Sequence, residues 1–274
     1  MLKILFIGDI VGAIGREATK KLLPKVKQKY KPDLVIANAE NIAHGKGVTK
    51  KTLQEILDAG VDYCTSGNHV FSRKEAYDIL DDDNSRLIRP ANYPDGNPGK
   101  GEKIINVNSP RLSKASQKNI LLINLIGRVF MKEDFDCPFK KFDEIISKYK
   151  VKDLIGVIVD FHAEATSEKK ALANYADGRA LAVIGTHTHV PTADEYISKK
   201  GTASITDVGA VCALDSVLGV KKEEIIKTFL TQINESHQLP EKGECEFNAV
   251  LIKINDKKKQ TVDIKRIREI INIK

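Results

Sequence analysis

Short apolar runs that alternate with helical patterns are the feature that most constrains the fold of this chain. In its first quarter, the runs of strand length are residues 3–8, 34–37 and 61–65. Residues 15–29 and 49–59 have helical patterns, and Thr49 and Gly60 are suited to begin and end the second of them. This alternation predicts an α/β fold in which parallel strands form a sheet and helices pack against it.

The rest of the chain continues this pattern. Residues 90–101 are rich in Pro, Gly and Asn, so we expect a loop there. Residues 103–108 and 119–125 are predicted strands, joined as a hairpin around residues 109–118. No repeat, linker or low-complexity tract interrupts the sequence, so we predict a single domain over residues 1–274. Further strands are predicted at residues 154–160, 180–185, 203–206, 244–254 and 261–267, and helices at 73–80, 139–149, 167–175 and 223–232.

Acidic, amide and histidine side chains stand where several of these runs give way to glycine or a polar turn. Catalytic groups in an α/β sheet collect beyond the carboxyl ends of its strands. Two adjacent divalent ions need a shared carboxylate together with separate oxygen and imidazole ligands, and this chain supplies all of these types. The sequence therefore predicts a metalloenzyme. The candidate ligands are Asp9, Glu40, Asn41, Asn68, His162, His187 and His189.

Each of these residues has a simpler explanation when it is taken alone. Asp9 and Asn68 are also typical turn residues, and Glu40 with its neighbour is also a plausible helix-capping pair. His187 and His189 alternate, which would place both rings on one face of a strand. One shared site explains all of them together, and this favours the metal-binding interpretation.

The mixture of ligand types also favours particular metals. Imidazole, carboxylate and carbonyl ligation suits Fe, Mn or Zn better than Mg or Ca, which prefer oxygen ligands alone. We therefore expect two divalent ions as cofactors, with Fe or Mn favoured and Zn as the alternative.

The positive charge of the chain does not by itself indicate a nucleic-acid partner. The net charge is +7 and the pI is near 9.0, but Lys residues are scattered along the chain and far outnumber Arg. Positive charge helps to attract a phosphate-bearing substrate, so RNA stays a possible partner without being required.

Cysteine usage and hydropathy bear on the compartment. The four cysteines are far apart and form no Cys-x-x-Cys pair, which argues against a thiolate zinc site, and we expect Cys64 and Cys212 to be reduced core thiols. No run approaches the ~18 apolar residues of a membrane span. Asp9 interrupts the first run, which is therefore predicted to be a strand and not a signal peptide. We predict a cytoplasmic protein with no membrane partner.

Longer strings surround the candidate ligands. They are GDIVGAIGR (8–16), NAENIAHGKGVT (38–49), TSGNHVF (65–71), RPANYPDGNPGKG (89–101), DFHAEATSEK (160–169) and GTHTHVPTAD (185–194). In these strings the chain resembles the YmdB-like bacterial phosphodiesterases, a subfamily of the calcineurin-like metallophosphoesterases, from its N-terminus to at least residues 206–209. The resemblance implies a sandwich of two mixed β-sheets flanked by helices, with a dimetal site at the strand ends.

The resemblance also divides the ligands between two metals, which the residues alone do not. In the wider superfamily the first motif is Asp-x-His and the bridging ligand is Asp, whereas this chain has Asp9-Ile10-Val11 and Glu40. Matched to the subfamily, Asn41 takes the place that the missing histidine leaves. The implied sets are Asp9, Glu40, Asn41 and His189 for one metal and Glu40, Asn68, His162 and His187 for the other, with Glu40 bridging and His69 as the proton donor.

The reaction that this resemblance implies is hydrolysis of a phosphodiester. A hydroxide held between the metals would attack phosphorus, and His69 would protonate the departing oxygen as the general acid. Cyclic nucleotides are the expected substrates, with 2′,3′-cyclic forms favoured over 3′,5′-cyclic forms. The alternatives are a phosphatase, an RNA-directed nuclease, or a regulatory binding protein stabilised by metals. An intact Asn68-His69 pair argues against a pure binding protein.

Further residues are candidates for supporting roles. His44, Lys46, Arg128 and Arg179 are candidate substrate contacts. For His44 a solvated loop is the alternative. Asp160 is predicted to orient His162 by hydrogen bonding, with a strand-end turn as its alternative. The resemblance also suggests a homo-oligomer.

Overall fold

The computed structural model describes residues 1–112, 119–150 and 153–274, and the strands in these ranges form two mixed sheets. Part of the predicted hairpin connection, residues 113–118, lies outside the described residues. The helices are α1 (Gly12–Tyr30), α2 (Lys50–Asp58), α3 (Glu75–Asp81), α4 (Pro138–Lys148), α5 (Thr166–Tyr175) and α6 (Lys222–Thr231), with a 3₁₀ turn at Val70–Ser72.

The strands follow the predicted positions, with three short additions. Their bounds are β1 (Leu2–Ile7), β2 (Asp9–Ile10), β3 (Leu34–Asn38), β4 (Tyr63–Thr65), β5 (Glu102–Asn106), β6 (Asn119–Ile126), β7 (Gly156–His162), β8 (Ala182–Thr186), β9 (Tyr196–Ile197), β10 (Ala203–Ile205), β11 (Ala210–Ala213), β12 (Gly243–Asn255) and β13 (Gln260–Ile273). Sequence analysis did not predict β2, β9 or β11, because runs of two to four residues carry too little periodicity to be recognised.

Each sheet combines a parallel centre with antiparallel neighbours. The first has the order β2-β11-β12-β1-β3-β4, and β1, β3 and β4 are parallel. Strand β13 lies off this path and pairs with β12. The second has the order β5-β6-β7-β8-β10-β9, and β6, β7, β8 and β10 are parallel. The antiparallel pair of β5 and β6 confirms the predicted hairpin.

Alternation along the strands fills three apolar layers. In β1, Ile4 and Phe6 pack between the two sheets, whereas Leu5 and Ile7 pack on the side of α1 and α2. In the second sheet, Ile158 faces the inner layer, and its neighbours in β7 face α4 and α5. Because strands buried on both faces have no polar face, their sequences are continuous apolar runs. The predicted sandwich of two mixed sheets flanked by helices is confirmed.

The carboxyl ends of the parallel strands in both sheets meet at one edge of the sandwich. Asn38 ends β3 and Asp160 lies near the end of β7, and the Nδ2 of Asn38 donates to the Oδ2 of Asp160 at 3.1 Å. This buried hydrogen bond joins the two sheets at the edge where the candidate ligands follow their strands.

We propose that residues 1–274 form one domain. The N-terminal β1 pairs with the late strand β12 over six residue pairs, Leu2 with Ile254 through Ile7 with Ala249. The inner apolar layer draws residues from both sheets. No sheet can therefore lose its partner without exposing that layer.

Two sequence predictions concern other properties of the fold. Cys64 and Cys212 are buried and free, as predicted for core thiols, and burial raises the pKa of each thiol to about 12. Within the described residues, no helix is both long enough and apolar enough to cross a membrane.

Candidate metal centre and active site

One half of the candidate site is formed by Glu40, Asn68, His162 and His187. The Nε2 of His162 lies 3.2 Å from Glu40 Oε1, 3.3 Å from Asn68 Oδ1 and 3.0 Å from His187 Nδ1. Since bonds from a metal to nitrogen or oxygen are about 2.1 Å long, ligand atoms on one ion lie roughly 3–4 Å apart. One ligand atom each from Glu40, His162 and His187 lies within 4.8 Å of the others, so this group fits a metal ion.

The other half is formed around Asp9. Its Oδ1 lies 3.9 Å from His189 Nε2 and 3.8 Å from His162 Nδ1. Although this oxygen is buried, it has no hydrogen-bond partner among the residues that the structure describes. A buried carboxylate oxygen without a partner is costly unless a cation compensates it, so Asp9 also fits a metal ion.

Asn41 lies beside His189 and Glu40. Its Nδ2 lies 3.3 Å from His189 Nε2 and donates to Glu40 Oε1 at 3.2 Å. A half turn of the amide would exchange its nitrogen for its oxygen, the atom that binds a cation. The side chain is therefore placed to serve as a ligand beside Asp9 and His189.

Glu40 lies between the two halves. Its Oε1 contacts both His162 and Asn41, and its Oε2 accepts a hydrogen bond from the main-chain nitrogen of His69 at 3.0 Å. Only 1% of Glu40 is exposed. The carboxylate thus touches members of both predicted ligand sets, which is the position a bridging ligand requires.

The absence of a side chain at Gly67 permits this close arrangement. A Cβ at this residue would lie 2.3 Å from both Glu40 Oε2 and His162 Nε2. Tyr93 supports the same turn, because its hydroxyl donates to the carbonyl oxygens of Gly67 and Asn68 at 3.4 Å. The glycine of Gly-Asn-His is therefore a packing requirement of the site.

His187 and His189 do not lie on one face of a strand, so that prediction is wrong. Strand β8 ends at Thr186, and the two histidines have φ angles of 98° and 64° in the turn that follows. Such backbone is strained for residues other than glycine and persists only where surrounding contacts hold it.

A buried ion pair holds this turn. Lys169 Nζ donates to Asp207 Oδ2 at 2.7 Å, and the same oxygen accepts from the main-chain nitrogen and hydroxyl of Thr188 at 3.0 and 2.7 Å. The main-chain nitrogen of His187 donates to Asp9 Oδ2 at 3.1 Å. These charge-assisted bonds offset the backbone strain and fix the turn.

Contacts at the Nδ1 atoms of His162 and His189 determine which ring nitrogen faces the candidate site. His162 Nδ1 lies 3.0 Å from the hydroxyl of Thr186, which itself donates to Asp160 Oδ1 at 2.8 Å. His189 Nδ1 lies 3.0 Å from the carbonyl oxygen of Leu218. Both residues therefore present Nε2 to the candidate site, and the hydroxyl of Thr186 links Asp160 to the Nδ1 of His162.

The electrostatics of the group follow from burial and crowding. Burial alone would lower the pKa of His162, but the carboxylates of Glu40 and Asp9 raise it to about 9. Burial raises the pKa of Glu40, and the imidazoles of His162 and His69 reverse this and hold it well below its usual range. Burial lowers the pKa of His187 to about 3 and raises that of Asp9.

His69 lies beside the ligand group. It is half-buried, and its Nδ1 is 3.5 Å from Asn68 Nδ2. Burial lowers the pKa of its imidazole; Glu40 acts against this, and Lys46 acts with it. A ring next to the ligands and open to the outside is well placed to exchange a proton with a substrate.

The candidate substrate contacts lie at different places. Lys46 is exposed and close enough to His69 for its charge to act on that imidazole, and Arg128 is exposed just beyond the end of β6. His44 is exposed with φ 55° and lines a groove of about 640 Å³ with Leu239. Arg179 precedes β8 at the opposite end of the strand and binds Asp143, so its prediction as a substrate contact is wrong.

Sequence reasoning missed several supporting residues. Asp207 lies two residues after the end of β10, just as Asp9 lies two residues after the end of β1, but sequence analysis did not select it. Lys169 gave no signal, because a lysine in a helix is usually exposed. Only their contacts in the structure identify Glu164 and Asn38. The Oε2 of Glu164 lies 3.2 Å from His187 Nε2, and Asn38 donates to Asp160.

Comparison with known proteins places the chain among proteins of the same size and fold. Residues 5–267 match the family described as YmdB-like protein. The chain belongs to this YmdB-like family. It is 47% identical over 266 residues to the "2′,3′-cyclic-nucleotide 2′-phosphodiesterase" of Bacillus subtilis strain 168, covering 97% of this chain and 96% of that protein.

Two Mycoplasma pneumoniae comparisons agree. A "putative phosphatase/phosphodiesterase" of that organism is 36% identical over 274 residues, covering 97% of this chain and 92% of the relative. A crystal structure described as a novel phosphatase of M. pneumoniae superposes with a TM-score of 0.89 at 35% identity, covering 99% of this chain and 94% of that one. The predicted enzyme class, a phosphoric diester hydrolase of the YmdB-like family, is confirmed.

Adding one methyl group at Gly67 tests the packing of the ligand group. Because the new Cβ would separate Glu40 from His162, Gly67→Ala should lower the affinity for divalent metal roughly 10–100-fold, the usual effect of disturbing the support of a ligand. Calorimetric titration of Mn²⁺ into the metal-free variant measures this, with circular dichroism to verify the fold. Unchanged metal affinity in a folded variant would contradict the assignment.

Proposed function

We propose that this protein hydrolyses 2′,3′-cyclic nucleotides with the help of two divalent metal ions and opens the ring at the 2′-oxygen. The observation that carries the proposal is the position of Glu40. Its buried carboxylate contacts residues of two candidate ligand groups and lies beside the half-buried His69. The Bacillus relative, whose name states this substrate and this bond, supports the choice of 2′,3′-cyclic forms.

The proposed ligand sets are those that the family resemblance implies. Fe or Mn suits their mixture of imidazole, carboxylate and amide oxygen, with Zn as the alternative. Divalent cations bound there would lower the pKa of water and stabilise negative charge on the phosphoryl oxygens. One set is Asp9, Glu40, Asn41 and His189, and the other is Glu40, Asn68, His162 and His187.

The side chains of the site have distinct proposed tasks. Asp9 and Glu40 supply the negative charge that a pair of cations needs, and the contacts of Thr186 and Leu218 keep two imidazole Nε2 atoms directed inward. His69 gives its proton to the departing ribose oxygen as the phosphorus–oxygen bond breaks. The product is then a nucleoside 3′-phosphate.

We propose that the exposed side chains of Lys46 and Arg128 bind the substrate phosphate. Lys46 lies near His69, where its charge acts on the imidazole, and Arg128 follows the strand that is paired with β7. Both side chains are exposed and therefore accessible to an anion. Their charges would also attract a phosphate-bearing substrate from solution.

A substrate panel tests the proposed function. The metal-free protein should be reloaded with Fe²⁺, Mn²⁺ or Zn²⁺ and assayed with 2′,3′-cyclic AMP, 3′,5′-cyclic AMP, bis(p-nitrophenyl) phosphate and a short RNA. We expect kcat/KM to be highest for 2′,3′-cyclic AMP, with 3′-AMP as the product. Higher efficiency on 3′,5′-cyclic AMP or on RNA would replace the proposed substrate, and full activity without metal would refute the metal requirement.

His69→Ala separates chemistry from metal binding. The contact of residue 69 with Glu40 is made by its main-chain nitrogen and survives the substitution, so both metals should stay bound. We expect kcat to fall about 10²–10⁴-fold, the usual contribution of a positioned acid, with a smaller loss for a p-nitrophenol leaving group.

Glu40→Gln is the matched comparison for this experiment. It preserves size but removes the charge shared by both metal groups, so metal content and activity should fall together. If His69→Ala loses metal, or loses the same factor on every substrate, His69 is a ligand or a structural residue instead.

Asn41→Ala tests the residue that departs most from the superfamily pattern. Removal of its amide should weaken the ion held with Asp9 and His189 more than the other ion. Titration of Mn²⁺ into the metal-free variant should then give one tight and one weakened site. Asn68→Ala is the matched control, because it should weaken the ion held by His162 and His187. Two sites of unchanged affinity in Asn41→Ala would assign Asn41 to the substrate or to a turn.

A further inference from the structure

Phe130 is the most exposed aromatic side chain that the structure describes. Its exposed fraction is 85%, and its neighbour Val129 is 42% exposed. Phe130 also has φ 62°, a left-handed conformation that is rare for a bulky residue. An exposed ring on strained backbone gains nothing for the fold, and such strain is concentrated at ligand-binding sites.

The loop that presents Phe130 is held firmly at its start. Gly127 donates its main-chain N–H to the carbonyl oxygen of His162 at 3.0 Å. The buried carboxylate of Glu168 accepts from the main-chain nitrogens of Arg128 and Val129 at distances of 3.0 to 3.2 Å. The backbone immediately before Phe130 is therefore fixed to the strand end that carries His162.

The far end of the loop returns to the other side of the site. Phe135 is buried and packs edge-to-face on Tyr93, with ring centroids 4.8 Å apart. The hydroxyl of Tyr93 contacts the main chain of Gly67 and Asn68. The charge of Glu133 acts on the imidazole of His69. Residues 127–135 therefore connect the strand end at His162 with the turn of Gly67 and Asn68 that precedes His69, and Phe130 lies between the two ends of this loop.

We propose that Phe130 is the stacking surface for the nucleobase of the substrate. This inference rests on the proposed function, because it requires a nucleotide at the metal site. In a 2′,3′-cyclic nucleotide the base is attached to C1′, the carbon next to the one that carries the 2′-oxygen. If His69 protonates that oxygen, the base must lie within one ribose of His69, and the loop of residues 127–135 has one end close to that position.

The surroundings of Phe130 combine apolar and charged side chains. Val129 and Met131 flank it directly, and Arg128, Lys132 and Glu133 lie on the same loop, so the exposed apolar surface is short and bordered by charge. An aromatic ring can stack on any base, so it binds nucleotides without selecting among the bases. Such stacks contribute strongly to nucleotide binding. We therefore expect Phe130 to strengthen binding of nucleotides in general and to leave the cleavage step unchanged.

A base-free substrate isolates this effect. Glycerol 1,2-cyclic phosphate has the same five-membered cyclic diester as 2′,3′-cyclic AMP and no base. Phe130→Ala should raise KM for 2′,3′-cyclic AMP about 5- to 100-fold, the range for loss of one base–aromatic stack, with kcat nearly unchanged. For glycerol 1,2-cyclic phosphate the KM should change less than twofold. Phe130→Tyr, which keeps a ring, should behave as the wild type.

Two further variants keep the result interpretable. Phe130→Asn removes the ring but suits a left-handed backbone, so it should reproduce the Phe130→Ala result without straining the loop. Phe229→Ala removes a phenyl group that is 75% exposed on α6 and should change neither KM. If the wild type hydrolyses both substrates and loss of the Phe130 ring raises neither KM or both equally, the stacking role is wrong. If the metal-loaded wild type hydrolyses neither, the proposed function is wrong and the stacking role with it.

Discussion

The carboxylate of Glu40 connects every part of the candidate site although it is almost completely buried. One oxygen meets His162 and Asn41, which belong to different ligand groups, and the other accepts the main-chain N–H of His69. A buried carboxylate is tolerated where positive charge and hydrogen bonds compensate its lost hydration. The arrangement of the site around Glu40 therefore follows from the cost of burying that one charge.

The two sheets make such a site possible because their parallel strands end at the same edge. Asp9, Glu40 and Asn68 lie just beyond strands of the first sheet. In the second sheet, His162 ends β7 and His187 follows β8. The buried hydrogen bond between Asn38 and Asp160 holds the two sets of strand ends together. Each half of the candidate site draws side chains from both sheets, so the site depends on the packing of one sheet on the other.

The turn that carries His187 and His189 shows how the site stores backbone strain. Both residues have positive φ angles, and the buried pair of Lys169 and Asp207 holds the turn between them. The contacts of Asp207 with Thr188 give the turn one geometry. The ion pair holds the turn that carries the candidate ligands His187 and His189. This accounts for the burial of the two charged side chains.

Much of the site was predictable because it depends on local patterns. A polar residue directly after a buried strand lies at the carboxyl edge of the sheet wherever that strand is parallel to its neighbours. The apolar runs of β1, β3 and β7 thus determined the fold class, and the residues after them determined the pool of candidate ligands. Contacts made between distant segments decided the rest: the room left by Gly67 beside Glu40, the support of Asp207 by Lys169, and the course of the loop that exposes Phe130. Local sequence determines which side chains follow a strand. Close contacts between side chains and strained backbone arise only when segments far apart in the sequence pack together.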